Sequence, residues 1–425
     1  MKKLFLLIAV LFVAASCSNN DDSIINPKGN ENEQSAAEEI ARYDIPLSAQ
    51  SVKVNVQNQQ FSFNFLRAYN EVAQDEENYC ISPLSASLCL GMVLNGANGN
   101  TYTEIQKALG YDGFTKDEIN EYAKTLQSEL PKLDNYATFT NANSIWIKND
   151  FKILSSFVET NSNYYSAEVQ TGPFNGETLA KINSWCSEKT NSLIPSILDN
   201  IDKDALAYLI NAIYFKGPWK IVFNEKDTKS LPFYKADGTE EKVATMYLAE
   251  RIRSYSNDEI TMVELPYGNE AFSMIVFMPT DAKKMSIDKL IANLDATTWN
   301  SWLGKLTYNE TNLSLPSYKL TGKKNLVEIF KQLGIKDAFD AKKADFTNMS
   351  SDSLYFSLLL QKTYMDVNEK GTEAAAVTLS TMSTSEGPSG ETPRIISFNH
   401  PFGFILREQS TGAILFAGKC GNPEK

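Results

Sequence analysis

Apolar residues recur along this chain with two periods, one typical of helices and the other typical of strands. Helical spacing over residues 60–73, and again between Pro83 and Gly96, predicts two helices. Alternation predicts a strand over residues 138–147, and the continuous apolar run 207–223 predicts a strand that is buried on both faces. Asn211 interrupts this last run, so its side chain must be hydrogen-bonded.

Two further apolar runs, residues 354–367 and 395–406, alternate well enough to be strands. Between them, residues 369–393 are mostly Ala, Thr, Ser, Gly and Pro. A loop of this length inside a compact domain is more often functional than idle. Thr372, Ala374 and Ala376 are two apart, so in an extended chain their small side chains share one face. Such a face could enter between packed strands, although the same composition also fits a flexible connector.

The N-terminus has the pattern of an export signal. In residues 1–16, two lysines precede an apolar core that ends in small residues directly before Cys17. The core is too short for a membrane-spanning helix. A cysteine in this position resembles a bacterial lipobox and favours lipidation, whereas ordinary secretion with a spare cysteine is the alternative. Residues 17–42 are polar and predict a disordered tether, followed by one domain over residues 43–425.

Charge and histidine content argue against several function classes. The net charge is −12 and no basic run follows the signal. The sequence therefore lacks the clustered Lys and Arg residues that are typical of nucleic-acid binding. The single histidine, His400, precedes a proline at a strand end and is interpreted as incidental. Neither a histidine-based metal site nor a histidine-dependent nucleophile is expected. Without a nucleophile elbow or a phosphate-binding glycine loop, we expect no catalytic residue, no metal and no cofactor.

The cysteines other than Cys17 lie within apolar patterns, and none belongs to a C-x-x-C pair. They are predicted to be buried free thiols even in an exported protein. The four residues are Cys80, Cys89, Cys186 and Cys420.

Several segments carry the motifs of one family. The stretch EKGTEAAAVT, which begins at Glu369, resembles the hinge of the reactive-centre loop of serpins, the serine protease inhibitor family. The later SFNHPFGFIL resembles the family's C-terminal strands, and ISPLSASLCLGMVLNGANGNTYTEI resembles a helical segment near its N-terminus. AYLINAIYFKGPW and VELPYGNEAFSMIVFMP are also similar, and residues 182–198 resemble the helix that crosses the main sheet. The resemblance covers essentially all of residues 43–425.

The resemblance implies an α+β fold with three β-sheets, about nine helices and an exposed reactive-centre loop. It places a group called the shutter beneath the centre of the main sheet, and Trp219 at the breach, where the loop enters. Gln361 stands where the family usually has a histidine, and its amide can donate and accept without a pH-sensitive charge. The shutter residues are Ser82, Ser85, Asn211 and Gln361.

The resemblance also places the reactive bond. Counting forward from Glu369 by the family's usual length gives Ser385–Glu386, with Met382 and Thr384 as nearby candidates. Counting back from Pro401 gives a later bond, because the loop is longer than in typical inhibitors. The forward count is preferred because insertion length is mechanically constrained. The hinge residues are Glu369, Gly371, Thr372, Ala374, Ala375 and Ala376.

The expected function is that of a suicide-substrate inhibitor that traps serine endopeptidases of elastase-like or subtilisin-like specificity, and possible targets include cysteine proteases. The alternative is a non-inhibitory serpin that serves as a surface binding or structural protein. The small hinge residues favour inhibition. The expected partner is a target protease in a covalent complex with a monomer. The protein is expected to be exported and lipid-anchored at the bacterial outer membrane or cell surface, or otherwise secreted.

Overall fold

The structure, a computed structural model, describes residues 40–372 and 392–424. All of these residues belong to one compact unit, Glu39–Lys425. Within the two described ranges the chain forms nine α-helices: α1 Ala49–Val72, α2 Pro83–Gly96, α3 Gly99–Ala108, α4 Lys116–Glu129, α5 Ser155–Tyr165, α6 Gly176–Lys189, α7 Ile287–Ala292, α8 Ala296–Leu303 and α9 Val327–Gln332.

The same ranges contain fifteen β-strands. These are β1 Asn78–Ile81, β2 Thr138–Lys148, β3 Glu168–Gly172, β4 Ala207–Pro218, β5 Lys229–Tyr234, β6 Glu240–Ser256, β7 Ile260–Pro266, β8 Phe272–Pro279, β9 Thr307–Pro316, β10 Tyr318–Asn325, β11 Leu360–Asn368, β12 Gly371–Thr372, β13 Arg394–Ser397, β14 Phe402–Glu408 and β15 Ile414–Cys420.

One sheet is six-stranded, with the order β10-β11-β12-β4-β2-β3. β2 and β4 run antiparallel, with Asn143 opposite Asn211. Ile210 of β4 packs towards α6 in a small apolar cluster with Trp185, whereas Ile213 on the other face belongs to the main core. β4 is therefore buried on both faces, as its continuous apolar run predicts.

A nine-stranded assembly, ordered β1-β15-β14-β8-β7-β6-β9-β13, contains the other strands and comprises two sheets that share β6. β6 pairs with β5 and β9 along most of its length and with β7 over its last residues. β5 joins the assembly through β6, and β13 pairs in parallel with β9. Together with the six-stranded sheet this makes three sheets. The expected α+β architecture is confirmed.

Local sequence determines where α2 begins and how closely it packs. Ser82 is extended, and its hydroxyl accepts a hydrogen bond from the backbone N–H of Ser85 at 3.2 Å, which caps the helix. Pro83 follows as the first helical residue, where its missing N–H costs nothing. At the other end of the helix, a Cβ added to Gly96 would collide with Phe157. α2 is thus held tightly, with its first turn beneath the six-stranded sheet.

Two predicted elements have different ends in the structure. The helix expected over residues 182–198 stops at Lys189, because Asn191 and Ser192 adopt positive φ values of 50° and 65°. The single strand expected over residues 395–406 is divided into β13 and β14. Pro401 lies between them, and proline lacks the N–H that a continuous ladder requires.

Candidate functional site

The hinge begins inside the six-stranded sheet. β12 pairs antiparallel with β11 on one side and with β4 on the other, so that Thr372 lies opposite Val367 and Gly217. Thr372 is 2% exposed. Gly371 has φ of 144°, and a Cβ there would collide with the carbonyl oxygen of Gly217. Only glycine fits at this point, where the chain enters between two strands.

The breach, which consists of Trp219, Tyr267 and Thr372, surrounds this entry point. The Trp219 and Tyr267 rings are stacked with their centroids 4.4 Å apart, and both side chains are buried. The hydroxyl groups of Tyr267 and Thr372 share a hydrogen bond of 2.5 Å. Burial raises the pKa of Tyr267, which keeps its hydroxyl protonated. The breach thus already holds the first core-facing side chain of the hinge.

The turn between β11 and β12 is attached to the chain that follows β4. The backbone N–H and the indole Nε1 of Trp219 donate to the carbonyl oxygens of Lys370 and Asn368, at 2.9 and 2.8 Å. The Glu369 carboxylate accepts from the Thr228 hydroxyl at 2.6 Å. These contacts fix the turn that leads into β12.

The four residues assigned to the shutter form two hydrogen-bonded pairs at the start of α2. The Gln361 side chain accepts from the backbone N–H of Ser82 and donates to its carbonyl oxygen, both at 2.9 Å. The Ser85 hydroxyl donates to the Asn211 side-chain oxygen. The structure therefore links β11 and β4, the two strands that flank β12, to the same turn of α2.

A buried polar network extends this arrangement and was not identified from the sequence. The Asn211 amide nitrogen donates to the side-chain oxygens of Asn141 and Asn143 on β2, both at 2.7 Å. Asn143 in turn donates to the carbonyl oxygen of Tyr165 at the end of α5, at 2.7 Å. Repeated Asn in the segment TFTNANSIWI was the available signal, because polar residues inside a strand of a packed sheet need partners.

The remaining site predictions lie outside the described residues. They concern the later hinge residues, the reactive bond and the lipidation site. These residues are Ala374, Ala375, Ala376, Met382, Thr384, Ser385, Glu386 and Cys17.

His400 and the four described cysteines have contacts that fit a structural role. His400 lies between β13 and β14, with its Nδ1 2.8 Å from the Asn399 side-chain oxygen and its ring beside Tyr234. Burial raises the pKa of Cys80 to about 12 and that of Cys186 to about 11, so both thiols stay protonated. All four described cysteines are free. No group of three or more potential metal ligands occurs in residues 40–372 and 392–424.

Similar proteins identify the family. The family model for serpins, serine protease inhibitors, matches residues 56–423. Neuroserpin of Gallus gallus is 30% identical over 396 residues, covering 89% of this chain and 95% of the relative. Leukocyte elastase inhibitor of Xenopus tropicalis is 32% identical over 375 residues, covering 85% and 97%. The crystal structure of tengpin, a thermophilic serpin in its native state, is 30% identical with a TM-score of 0.80, covering 90% and 97%. The chain belongs to the serpin family.

No helix in the described part of the chain combines the length and the apolar character needed to cross a membrane.

Proposed function

We propose that this protein is a suicide-substrate inhibitor of serine endopeptidases, which takes its cleaved reactive-centre loop into the six-stranded sheet. The observation that carries the proposal is the position of Gly371 and Thr372, which already pair as a strand between β11 and β4. The residues that follow, Ala374–Ala376, are small and offer little steric resistance to a strand that continues from Thr372. Membership of a family that includes protease inhibitors gives independent support.

The pairing register of β12 supports continued insertion. Extended in the same register, the loop would place Ala374 opposite Phe215 and Met365, which belong to the main core. Leu379 would then lie between Ile210 and Leu360, which belong to the apolar cluster next to α6. The small side chain of Ala374 would thus face the crowded main core, and the larger side chain of Leu379 would face the apolar cluster. Insertion would bury apolar area and complete two ladders of backbone hydrogen bonds.

Trapping would follow from cleavage. The protease serine attacks the carbonyl carbon of Ser385, the bond to the Glu386 nitrogen breaks, and the released amine takes a proton. Ser385 is then joined to the protease by an ester. Once inserted, residues 371–385 would span roughly 50 Å at about 3.3 Å per residue, which would place the ester far from the point where the loop enters the sheet. Hydrolysis slows by orders of magnitude when the groups that perform it lose their alignment.

The residues on the acyl side of the proposed bond indicate the class of target. Met382, Thr384 and Ser385 are small or unbranched and suit elastase-like or subtilisin-like pockets. Arg394, the nearest basic residue, belongs to β13 and pairs with Thr311 on β9. A bond inside a ladder is a poor protease substrate, which argues against Arg394 as the bait and against a trypsin-like target.

A non-inhibitory surface protein is the competing proposal. Such serpins tend to carry bulky, charged or proline residues in the hinge, so that insertion is blocked. Here Gly371 and Thr372 fit between two strands, and Thr372 is fully accommodated by Tyr267. This observation favours an inhibitor over a passive binding protein.

We further propose that the protein is exported and held at a membrane surface by lipid on Cys17, while residues 17–42 act as a spacer. The charged and apolar pattern of residues 1–16 supports export. A spacer would let a protease approach the loop without contacting the bilayer.

The experiment is incubation with an elastase, a subtilisin and trypsin, followed by denaturing gels and mass spectrometry of the released peptide. We expect a covalent complex with elastase or subtilisin, and a released peptide that begins at Glu386. Cut protein should also melt at a much higher temperature than intact protein. Equal melting curves would favour the non-inhibitory alternative, and a peptide beginning at Ile395 would identify Arg394 as the bait.

A further inference from the structure

A cleft of about 710 Å³ lies along β13, a strand that does not belong to the six-stranded sheet. Three consecutive residues of the strand, Ile395, Ile396 and Ser397, line it. Neighbouring side chains in a strand point to opposite faces of the sheet, so a cavity that touches all three residues runs along the edge of the strand. The opposite wall consists of the end of β8 and the segment after it, residues 278–283. We call this cavity the β13 cleft.

One edge of β13 has no neighbouring strand in the described part of the chain, where β13 pairs with β9 alone. The backbone N–H of Phe398, directly after the strand, donates to the carbonyl oxygen of Ser314 on β9 at 2.9 Å. Because successive backbone groups in a strand point to alternate sides, the N–H and C=O groups of Ile395 and Ser397 point away from β9. An open edge of this kind can pair with an extended segment of another chain.

Ile395 adds an apolar side chain to the edge of the cleft. It is 83% exposed, whereas Ile396, the next residue, is 4% exposed and belongs to the core. Tyr308, the next most exposed large apolar residue of the described ranges, reaches 57%. Intramolecular packing thus leaves the Ile395 side chain in water, and a partner that buried it would gain affinity.

The rest of the cleft is lined mostly by uncharged groups. Asp281 and Lys283 are its acidic and basic residues, and Asp281 is already paired with Lys284 at 3.1 Å. The hydroxyl groups of Thr261 and Thr280, which also line the cleft, share a hydrogen bond of 3.0 Å. Small hydroxyl groups, aliphatic carbon and an open strand edge suit an extended peptide segment better than a charged small molecule.

The reactive-centre loop indicates which partner would lie over the cleft. Only eight residues, 386–393, separate the proposed reactive bond from β13. Fully extended, they span at most about 28 Å. A globular protease of about 230 residues has a radius of gyration of about 17 Å, which corresponds to a diameter of about 45 Å. A protease bound at the loop would therefore be wider than its distance from β13, and its surface on the Glu386 side would lie next to the cleft.

We propose that the β13 cleft is a second docking site for the target protease, which inserts an extended surface loop that pairs with β13 and covers Ile395 with an apolar side chain. This inference rests on the proposed function, because it takes the protease to be bound at the reactive-centre loop. The contact forms before cleavage, so it speeds the encounter and leaves the trapping step unchanged. It thereby selects among proteases that accept the same residues at the reactive bond.

The test measures the affinity of the full mature chain for an elastase and a subtilisin whose catalytic serine has been replaced by alanine. These proteins bind the loop without cutting it, so only the encounter is measured. Ile395→Asp removes the apolar contact, and Ala282→Trp narrows the cleft from an exposed position on the opposite wall. The control is Val56→Asp, which changes an exposed apolar residue of α1. We expect both cleft variants to bind at least one of the two proteins about tenfold more weakly, and the control to bind unchanged.

The outcomes separate this inference from the proposed function. With the active proteases, both cleft variants should form the covalent complex more slowly but to the same final yield. Equal affinities of all variants, with the covalent complex still formed, would overturn the docking site and leave the inhibitor intact. Absence of any covalent complex would overturn the proposed function, and the docking site with it. A dimer of the unaltered chain that Ile395→Asp dissociates would show that a second copy fills the cleft, which would also overturn the proposal.

Discussion

Replacing Thr372 by arginine places a charge at a position that is closed to water. Thr372 is 2% exposed, and its hydroxyl is 2.5 Å from that of Tyr267. Burying an unpaired guanidinium there costs on the order of 4 kcal/mol after relaxation. Because each step of about 1.4 kcal/mol is a factor of ten, entry of the hinge becomes about a thousandfold less favourable. Hydrolysis of the acyl ester should then win the competition with insertion.

The assay is a denaturing gel together with recovery of protease activity. Thr372→Arg should be cut in the loop, form no covalent complex and release active protease. Glu373→Arg is the matched control, because strand alternation predicts that residue 373 faces the other side. The control should still trap protease. Undiminished complex with Thr372→Arg would refute the reasoning.

Three other substitutions test separate features. Asn211→Leu leaves the Ser85 hydroxyl and two amide oxygens without partners, and should lower the free energy of unfolding by about 2–4 kcal/mol in urea titration; a change below about 0.5 kcal/mol would contradict the role of the network. Cys17→Ala should move the protein from the membrane fraction to the soluble fraction, whereas unchanged fractionation would favour simple secretion. Burial, with Lys283 nearby, lowers the pKa of His400, so the folded state prefers the neutral ring. Its contribution to stability is therefore complete above the ordinary histidine pKa of about 6.5 and is lost as the pH falls below it. His400→Gln should reduce the fall in melting temperature between about pH 7.5 and about pH 5.5, and an unaltered fall would show that other groups cause it.

Hydrophobic pattern predicted the main elements of the sheet that receives the hinge. The run of apolar residues that begins at Ala207 predicted a strand buried on both faces, and β4 has this arrangement. The end of α6 could not be predicted in the same way. It depends on the left-handed backbone of Asn191 and Ser192, which apolar periodicity does not report.

The contacts of the breach were harder to foresee than the strands. Tyr267 and Thr372 are 105 positions apart in the sequence. Their hydrogen bond depends on tertiary packing that no local pattern contains. The family resemblance placed Trp219 at the breach, but the hydrogen-bond partner of Thr372 is seen only in the structure.

The two ends of the reactive-centre loop belong to different sheets. β12 lies in the six-stranded sheet, whereas β13 is held by β9 in the nine-stranded assembly. Residues 373–391 connect β12 to β13, so the length of this connection is fixed as long as both strands stay paired. Each residue that enters the sheet would take the chain about 3.3 Å further from the point of entry. In an uncut loop the chain must also come back over the same distance to reach β13. In the proposed mechanism, an uncut loop could therefore enter the sheet over only about half of its length unless β13 left β9. Cleavage of the loop would remove this limit and allow complete insertion.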